Sequence, residues 1–520
     1  MTDTAANNKR IAKNTLLLYF RMLFMMVVSL FTSRITLAAL GITDYGIYNV
    51  IGGMVSMFSI LSGSLSLAIS RYITMEVGKE DKDNLNRIFS TSVSIQIFMA
   101  ITIGIVGELA GSWFLNNKMV IPADRLDAAQ WVLHLSILTF MVNLISIPYN
   151  ALIIAHERMS AFAYVSILEV CLKLIIVYLL YISPIDKLIV YSCLLACVSI
   201  IIRIVYGTYC KHHFAEEAHY KPSINKNLLH DMFGFIGWAF LGNGVVVLKD
   251  QGTNIILNLF CGPAVNAARG IAMQVNAAVY SFVQNFMTAV NPQITKSYSV
   301  GNLSDMHKLI IRSAKFGFFI LLILLMPVCA NIDYILNLWL VEVPEHTANF
   351  IVLILLYSLI DCFTTPLITG VLAQGNIKPY EIALTFIYLI NFIASYICLK
   401  MGMIVESVFV LNIIFKACVL VALLLQSRAK YNLSLIQFLK KCILPSVIIF
   451  SLSTIFVFFL PGERNSEFII FVLRVIAIIT FICIIEFSIG MTTNEKHYIC
   501  KILKEKVFNK FNKTKQHNIK

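Results

Sequence analysis

Charged residues are scarce in this 520-residue chain: Asp, Glu, Lys and Arg together make up 13% of it. Soluble proteins carry about 25% charged residues, whereas 58% of this chain is hydrophobic. This composition excludes a water-soluble enzyme, and the abundance of Leu, Ile, Val and Phe equally excludes a disordered chain. Because a bilayer-spanning helix needs about 20 apolar residues, the sequence predicts an all-α polytopic membrane protein with roughly a dozen or more spans.

Other features are missing as well. The 12 cysteines form no Cys-x-x-Cys pair, and most lie within apolar runs, where they pack as small side chains. We therefore expect neither a disulfide framework nor a metal site. The polar start of the chain leads directly into an apolar run, so we expect no cleavable signal peptide. The runs also lack the period-two alternation of transmembrane β-strands.

Fourteen apolar runs are long enough to cross a bilayer as helices. In chain order, the predicted spans are 14–40, 45–74, 88–115, 131–155, 161–182, 188–209, 232–261, 264–294, 316–332, 348–372, 380–399, 405–426, 442–460 and 468–491.

Basic residues orient these spans. With the N-terminus in the cytoplasm, 29 of the 41 Lys and Arg residues fall on the cytoplasmic side and five on the other. Because cytoplasmic loops carry an excess of Lys and Arg, both termini are predicted to be cytoplasmic. The net charge of +13 then reflects topology and attraction to anionic membrane lipids, and it requires no nucleic-acid partner.

The chain contains a weak internal repeat at an offset of 221 residues. At this offset, segment 33–49 aligns without a gap on 254–270, with Gly41 on Gly262. Both copies have the pattern of a long helix, a tight turn at glycine and a second long helix. The offset of 221 residues corresponds to six predicted spans. Because six is an even number, the repeat predicts two parallel bundles around a central cavity, which is an architecture for alternating access.

Seven basic residues lie inside the predicted spans, where each costs roughly 3 kcal/mol at mid-bilayer. Most must therefore be paired, snorkel to the membrane surface or face water. Glu169 lies one helical turn before Lys173, which predicts an internal ion pair. Lys416 and Arg474 are expected to snorkel or to pack at the periphery. The other four lie near the proposed repeat axis and are candidate substrate-binding cations: Arg21, Arg34, Lys249 and Arg269.

One face of the predicted span 264–294 is polar over its full length. Six side chains fall within an arc of about 80° when the run is placed on a helix. Such a stripe should face a cavity or another helix, because lipid cannot satisfy polar groups. Arg34 and Arg269 lie near span ends, where each could instead reach lipid headgroups. The polar face comprises Asn266, Arg269, Asn276, Tyr280, Gln284 and Asn291.

Few acidic residues are placed to bind a coupling ion. Asp361 lies midway along the span 348–372 with three threonines nearby, and Pro366 interrupts the helix there. A carboxylate beside freed backbone carbonyls suits Na⁺ or H⁺, while the alternative is a hydrogen bond to a neighbouring helix. Asp250 and Glu169 are the second candidates.

Four segments resemble the Wzx-type polysaccharide flippases, which belong with MATE exporters and lipid II flippases to the MOP transporter superfamily. The similarity runs along nearly the whole chain in order and spacing. Family members often have a glycine after the Trp-Leu pair, where this chain has Val341. The segments are LGITDYGIYN at 40–49, IPYNALIIAHERM at 147–159, ILNLWLVEVP at 335–344 and LAQGNIKPY at 372–380.

The resemblance implies a MATE-like fold of two pseudo-symmetric six-helix lobes followed by two C-terminal helices. It also implies that the protein moves an undecaprenyl-diphosphate-linked oligosaccharide across a bacterial inner membrane by alternating access. Such proteins hold the diphosphate with cavity arginines, and Arg21, Arg34 and Arg269 occupy comparable places. On this sequence the parts are an N-terminal lobe at 1–210, a cytoplasmic linker at 211–231, a C-terminal lobe at 232–428, two helices at 429–491 and a basic cytoplasmic tail at 492–520.

Side-chain chemistry agrees with that substrate. Arginine matches phosphate oxygens in bidentate geometry, while Asn276, Tyr280 and Gln284 carry groups that suit sugar hydroxyls. A MATE-type multidrug exporter needs acidic groups for organic cations, whereas the first span carries two arginines and no acid. A lipid II flippase is the alternative with similar chemistry. The glycan itself, whether O-antigen, capsule or exopolysaccharide unit, is left open.

An enzyme is the other class to weigh. The largest predicted outer loops have only about fifteen residues each, and the histidines show no metal-ligand spacing with nearby acids. A nucleotide-binding loop and a Gly-x-Ser-x-Gly element are both missing. We therefore expect a transporter without a cofactor other than a coupling H⁺ or Na⁺. Its expected partners are the lipid-linked oligosaccharide, membrane lipids and other polysaccharide assembly proteins.

Overall fold

The computed structural model describes most of the chain. Side chains are described over the same residues as the backbone, except for 2–22, 159, 226–243 and 289. The side chain of Arg21 and most of the basic tail lie outside the described residues. The backbone is described at 2–59, 62, 66, 69, 72, 73, 76, 77, 81–156, 158–222, 226–375, 378–460, 468–493 and 495–497.

Regular structure in this part of the chain is helical throughout, without a β-strand. The last two long helices contain π-helical turns at Leu439–Ile443 and Glu486–Gly490. In chain order the helices are α1 (Thr2–Ser56), α2 (Lys82–Asn117), α3 (Leu126–Ala155), α4 (Met159–Ile182), α5 (Lys187–His213), α6 (Lys226–Cys261), α7 (Pro263–Ser299), α8 (Leu303–Ala330), α9 (Ile332–Trp339), α10 (Thr347–Gln374), α11 (Lys378–Lys400), α12 (Ser407–Tyr431), α13 (Leu435–Phe459) and α14 (Phe468–Gly490).

The predicted all-α membrane fold is confirmed. Eleven helices of the described residues are long and apolar enough to cross a membrane. The first predicted span and the start of the second lie in α1, and the seventh and eighth correspond to α6 and α7. Observed helices extend beyond the apolar runs at their polar ends. For example, α8 begins at Leu303 because Asn302 caps it, accepting a hydrogen bond from the Asp305 N–H at 3.1 Å.

Gly41 and Gly262, which the repeat aligns, have the same left-handed backbone conformation, with φ of +79°. Glycine adopts this conformation without the steric cost that a β-carbon adds. Gly41 places a kink within α1, and Gly262 separates α6 from α7. The predicted pattern of helix, glycine turn and helix is therefore observed at both copies.

Packing divides the chain into two compact units. The first unit comprises Met1–Val275, Leu336–Ile354 and Glu381–Phe415, and the second comprises Asn276–Ile335, Leu355–Tyr380 and Lys416–Lys520.

An apolar cluster holds three helices of the first unit together. Ile47 and Ile51 of α1 are fully buried there with Leu133 and Ile137 of α3 and Leu188 of α5. This packing fixes the rotation of α1 about its axis, and so it positions the polar side chains that α1 also carries.

A salt-bridge triad joins α1 to the starts of α3 and α5 in the same unit. Arg125 Nε lies 2.8 Å from Asp44 Oδ1 in α1, and Arg125 Nη1 lies 2.5 Å from Asp186 Oδ2 before α5. Asp186 also caps α5 by accepting hydrogen bonds from the N–H groups of Leu188 and Ile189. Burial raises the pKa of the Asp186 carboxyl, but the hydrogen bonds from Arg125 and Ile189 outweigh burial and hold this pKa below its usual value.

Candidate functional site

The corner between α6 and α7 packs closely against α1 in the first unit. A β-carbon at Gly46 would lie 1.9 Å from the carbonyl oxygen of Pro263, and one at Gly270 would lie 2.9 Å from the side-chain amide of Asn49. Glycine at both positions therefore permits the two copies of the repeat to come into direct contact.

Hydrogen bonds from buried side-chain amides hold this corner against α1. Asn254 Nδ2 donates a hydrogen bond to the backbone carbonyl of Asn49 at 3.1 Å. Asn266 Nδ2 donates to the backbone carbonyl and to Oδ1 of Asn254, both at 2.7 Å. Asn266 belongs to the predicted polar face of α7, and it satisfies its amide donor on the neighbouring helix α6.

Two predicted substrate-binding cations lie beside Asp250 at this corner. Lys249 Nζ is 2.8 Å from Asp250 Oδ1, and Arg269 Nη2 donates to the Asp250 backbone carbonyl at 2.9 Å. Lys249 is 9% exposed and Arg269 7% exposed. Arg269 Nε is buried and has no hydrogen-bond partner. The corner therefore holds two cations beside one carboxylate, and it leaves one guanidinium N–H for a further acceptor.

Arg34, the other described arginine of the predicted site, lies where α1 contacts α9. Its Nη1 donates to the backbone carbonyl of Leu338 at 3.4 Å, and Trp339 Nε1 donates to the backbone carbonyl of Leu30 at 2.8 Å. Both partners on α9 belong to the segment ILNLWLVEVP. The role of Arg21 stays a prediction, since its side chain lies outside the described residues.

A cavity of about 300 Å³ lies within the first unit, with its wall formed by α1, α4, α5 and one residue of α7. Lys173 is the charged residue of its described wall, and Lys173 Nζ lies 2.6 Å from Glu169 Oε1, which confirms the predicted ion pair. The polar part of the wall consists otherwise of hydroxyls and amides, from Ser29, Thr32, Ser33, Thr36, Tyr45, Tyr48, Asn49, Tyr191 and Gln274.

A second cavity of about 170 Å³ shares Tyr48 and Leu195 with the first as wall residues. Sequence reasoning missed both cavities as sites, because their walls combine residues from several helices. The one sequence feature that pointed to the larger cavity was the spacing of the Ser and Thr residues in the first span. The second wall is also rich in small polar groups, from Ser56, Ser136, Thr139, Asn143 and Ser192.

In the second unit, Asp361 is the centre of a partly buried polar cluster. It forms an ion pair with Lys416 of α12, and it accepts hydrogen bonds from the Tyr280 hydroxyl at 2.6 Å and the Thr364 hydroxyl at 2.8 Å. Lys416 is 4% exposed. The expectation that Lys416 snorkels or packs peripherally is wrong, because its ammonium is buried and is paired with the Asp361 carboxylate.

The rest of the polar face of α7 in the second unit mostly contacts α10. Asn276 Oδ1 accepts a hydrogen bond from Ser358 at 2.7 Å, and Asn291 Oδ1 accepts one from Thr369 at 3.1 Å. Gln284, by contrast, is exposed. Helix-to-helix hydrogen bonds thus involve Asn276, Tyr280 and Asn291, and Gln284 keeps its amide at the surface of the unit.

The three carboxylates considered for ion coupling share one feature, a lysine partner. In addition, no group of three or more His, Cys, Asp or Glu side chains suited to a metal ion occurs among the described residues. The lysine–carboxylate pairs are Lys416 with Asp361, Lys249 with Asp250 and Lys173 with Glu169.

Sequence comparison matches more than half of the chain to one family. The model of the family described as polysaccharide biosynthesis protein matches residues 11–302, and the MatE model matches residues 240–397. No curated protein sequence matches the chain.

Solved structures of membrane transporters share its fold. A lipid II flippase, MurJ, in an inward closed conformation is 13% identical, with a TM-score of 0.68 over 91% of this chain and 98% of that chain. A multidrug resistance MATE family transporter in an inward-facing conformation is 14% identical, with a TM-score of 0.61 over 79% and 94%. A MOP superfamily transporter from Pyrococcus furiosus is 13% identical, with a TM-score of 0.54 over 81% and 95%.

Proposed function

We propose that this chain, which belongs to the polysaccharide biosynthesis protein family, is a flippase for an undecaprenyl-diphosphate-linked oligosaccharide. The match of the family model over residues 11–302 is the observation that supports this most strongly. The cargo would be a repeat unit of O-antigen, capsule or another exopolysaccharide. It would move from the inner to the outer leaflet of a bacterial inner membrane, with both termini of the protein in the cytoplasm.

The fold supports alternating access as the mode of movement. A lipid II flippase and MATE transporters share this fold, and the glycine turns at Gly41 and Gly262 agree with a duplicated architecture. We propose that lobes at 1–210 and 232–428, joined by the linker 211–231, open alternately to the two sides. The helices at 429–491 and the tail at 492–520 would follow as additional parts.

The α6–α7 corner has an excess of one positive charge, which favours a diphosphate. Lys249 and Arg269 share the neighbourhood of Asp250, and Arg269 Nε keeps a free donor. Guanidinium groups bind phosphate oxygens through short, charge-assisted hydrogen bonds. Because Arg269 is buried in this conformation, we propose that phosphate reaches it when the corner opens during the transport cycle. Arg34 and Arg21 would assist from α1.

The exposed amide of Gln284 suits sugar hydroxyls, whereas Asn276 and Tyr280 would first have to release Ser358 and Asp361. A coupling H⁺ or Na⁺ at Asp361, Asp250 or Glu169 would likewise have to replace a lysine as counter-charge. We propose that ion coupling occurs at one of these carboxylates, with the ion taking the place of the lysine.

Flipping of a fluorescent polyprenyl-diphosphate oligosaccharide in proteoliposomes tests the proposal. The wild type should move the lipid, and Arg269→Gln should slow it at least tenfold, since a hydrogen bond to a charged group contributes about 1.5–3 kcal/mol. Arg312→Gln is the matched control, because Arg312 lies on α8 with its side chain 51% exposed. It should transport like the wild type.

Other cargoes provide the opposing outcomes of the same assay. A wild type that moves organic cations but no lipid-linked glycan would overturn the flippase proposal in favour of a multidrug exporter. A wild type that moves lipid II but no other lipid-linked oligosaccharide would replace the proposed cargo with a peptidoglycan precursor.

A further inference from the structure

We infer that the 300 Å³ cavity of the first unit is a binding site for one pyranose ring of the glycan. The inference rests on the proposed function for the source of the sugar. The site differs from the α6–α7 corner in its chemistry. The corner has an excess of positive charge, whereas the cavity wall presents hydroxyls, amides, aromatic rings and Lys173, which is paired with Glu169.

Hydroxyl groups of α1 line the wall and can accept hydrogen bonds from a ligand. Thr36 Oγ1 donates its hydrogen to the Thr32 carbonyl at 2.9 Å, and Ser33 Oγ donates within its own helix to the Ser29 carbonyl at 3.0 Å. A hydroxyl oxygen has two lone pairs. The Thr36 hydroxyl also has a side-chain hydrogen bond with Tyr191, which leaves it one lone pair for a ligand. These positions follow one another along α1, so the helix presents a row of acceptors.

Gln274 supplies a stronger signal. Its Nε2 donates to the Tyr45 hydroxyl at 3.1 Å, but its Oε1 is buried and accepts no hydrogen bond. An unpartnered buried acceptor costs about 1–3 kcal/mol. A ligand hydroxyl that donates to Oε1 would recover this free energy, which an apolar ligand would not.

Donors and aromatic faces complete the wall. Lys173 has three N–H groups and directs one to Glu169, so it can also donate to a ring or hydroxyl oxygen. The Tyr48 and Tyr191 rings lie edge to face with centroids 4.9 Å apart. Aromatic rings provide flat apolar surface beside polar groups, as the C–H face of a pyranose requires.

Charge and size favour a sugar over the other chemical classes. A diphosphate needs an excess of cations, but the cation of the described wall, Lys173, is already neutralised by Glu169. An organic cation would need an acid without a partner. The volume of about 300 Å³ lies at the lower end of small-molecule sites, which fits a single ring better than a whole oligosaccharide.

Saturation-transfer NMR on the full-length protein in nanodiscs tests the site directly. The probes are the methyl glycosides of glucose, galactose, mannose, rhamnose and N-acetylglucosamine at millimolar concentration. At least one probe should give a signal with the wild type. The signal should fall about two- to tenfold in Thr36→Val and in Gln274→Leu, as the loss of one neutral hydrogen bond predicts.

Thr102→Val is the matched control. Thr102 is exposed on α2, and its hydroxyl donates to the Phe98 carbonyl at 2.9 Å, as that of Thr36 does to Thr32. It should bind like the wild type. The absence of a signal from every glycoside would overturn the inference, and so would equal signals in the wild type and both cavity variants.

A flipping assay on the same samples separates this inference from the proposed function. Sugar binding at the cavity without movement of lipid-linked glycan would leave the cavity site standing and reject the flippase. Movement of lipid-linked glycan without any dependence of sugar binding on Thr36 and Gln274 would reject the cavity site and leave the flippase standing.

Discussion

The two units accommodate polar side chains within apolar helices in opposite ways. In the first unit, hydroxyls and amides surround a cavity, and Gln274 Oε1 is left without a partner. In the second unit, the groups around Asp361 satisfy one another through Lys416, Tyr280 and Thr364.

The difference follows from charge. A buried ion costs several kcal/mol unless it is paired and hydrogen-bonded. The charged groups of the Asp361 cluster must therefore bind one another for the unit to be stable. A hydroxyl that donates to its own helix costs far less, so α1 can carry a row of them beside open space. The comparison indicates that the polar groups around Asp361 serve stability, whereas the hydroxyls and the Gln274 amide of the cavity wall can still bind a ligand.

The largest expected effect comes from removing the ion pair of the Asp361 cluster. Lys416→Met leaves the partly buried Asp361 carboxylate without its counter-charge. It should lower the free energy of unfolding by about 3 kcal/mol, the lower end of the cost of breaking a buried pair. The double variant Lys416→Met/Asp361→Asn should recover most of that loss. Unfolding in a detergent titration measures both.

Lys308→Met is the control for this experiment. It breaks the Lys308–Asp305 pair, whose lysine side chain is 61% exposed, and exposed pairs contribute only about 0–1 kcal/mol. A Lys416→Met protein as stable as the control would mean that Asp361 is not held by its ion pair, and the contrast between the units would fail.

The next effect tests packing within the first unit. A β-carbon at Gly46 would meet the Pro263 carbonyl oxygen at 1.9 Å, but one at Gly52 would meet nothing within 4 Å. Gly46→Ala should therefore cost about 1–3 kcal/mol or more through overpacking, since the opposing atom is backbone. Gly52→Ala should raise stability by about 0.4–1 kcal/mol. Equal effects would contradict the close contact of α1 with α7.

Local patterns made much of the fold predictable from sequence. Apolar run length gave the spans, and the Lys173–Glu169 pair follows from helical spacing within one segment. The aligned glycines Gly41 and Gly262 marked the two turns. All of these depend on residues close together in the chain, or on a repeat that the chain itself displays.

The partners of the polar groups could not be predicted in the same way. Lys416 of α12 forms an ion pair with Asp361 of α10. Helical spacing does not relate residues that are so far apart in sequence. Arg269 donates to the backbone carbonyl of Asp250, a group that every residue carries and that no pattern marks. The cavity wall combines α1, α4, α5 and α7, so it exists only once these helices have packed.

A smaller effect concerns the Arg125 triad of the first unit. Asp186 has a lowered pKa in the folded protein, so its contribution to stability is present above the unfolded pKa of about 3.9 and is lost as the pH falls through the lower, folded value. Arg125→Met should cost about 1–2 kcal/mol at pH 7, since the three side chains are partly exposed. Thermal unfolding at pH 7 and below pH 4 measures the difference.

The deficit of Arg125→Met should shrink below about pH 4, because protonated Asp186 no longer gains from the guanidinium. Lys118→Met, at an exposed position after α2, should behave like the wild type at both pH values. A deficit in Arg125→Met that stays constant with pH would show that the side chain acts through packing and not through Asp186.

The smallest expected effect is that of Gln274→Leu, which is compared with Asn254→Leu in the same unit. Asn254 has satisfied partners, donating to the Asn49 carbonyl and accepting from Asn266, so Asn254→Leu should cost about 1–3 kcal/mol. Gln274→Leu loses the bond to Tyr45 but also removes an unpartnered acceptor, and should change stability by less than about 1 kcal/mol. Detergent-titration unfolding compares the two. If Gln274→Leu destabilised the protein as much as Asn254→Leu, the cavity wall would be structural like the Asp361 cluster. A protein that keeps its stability while losing a polar group points instead to a group retained for a ligand.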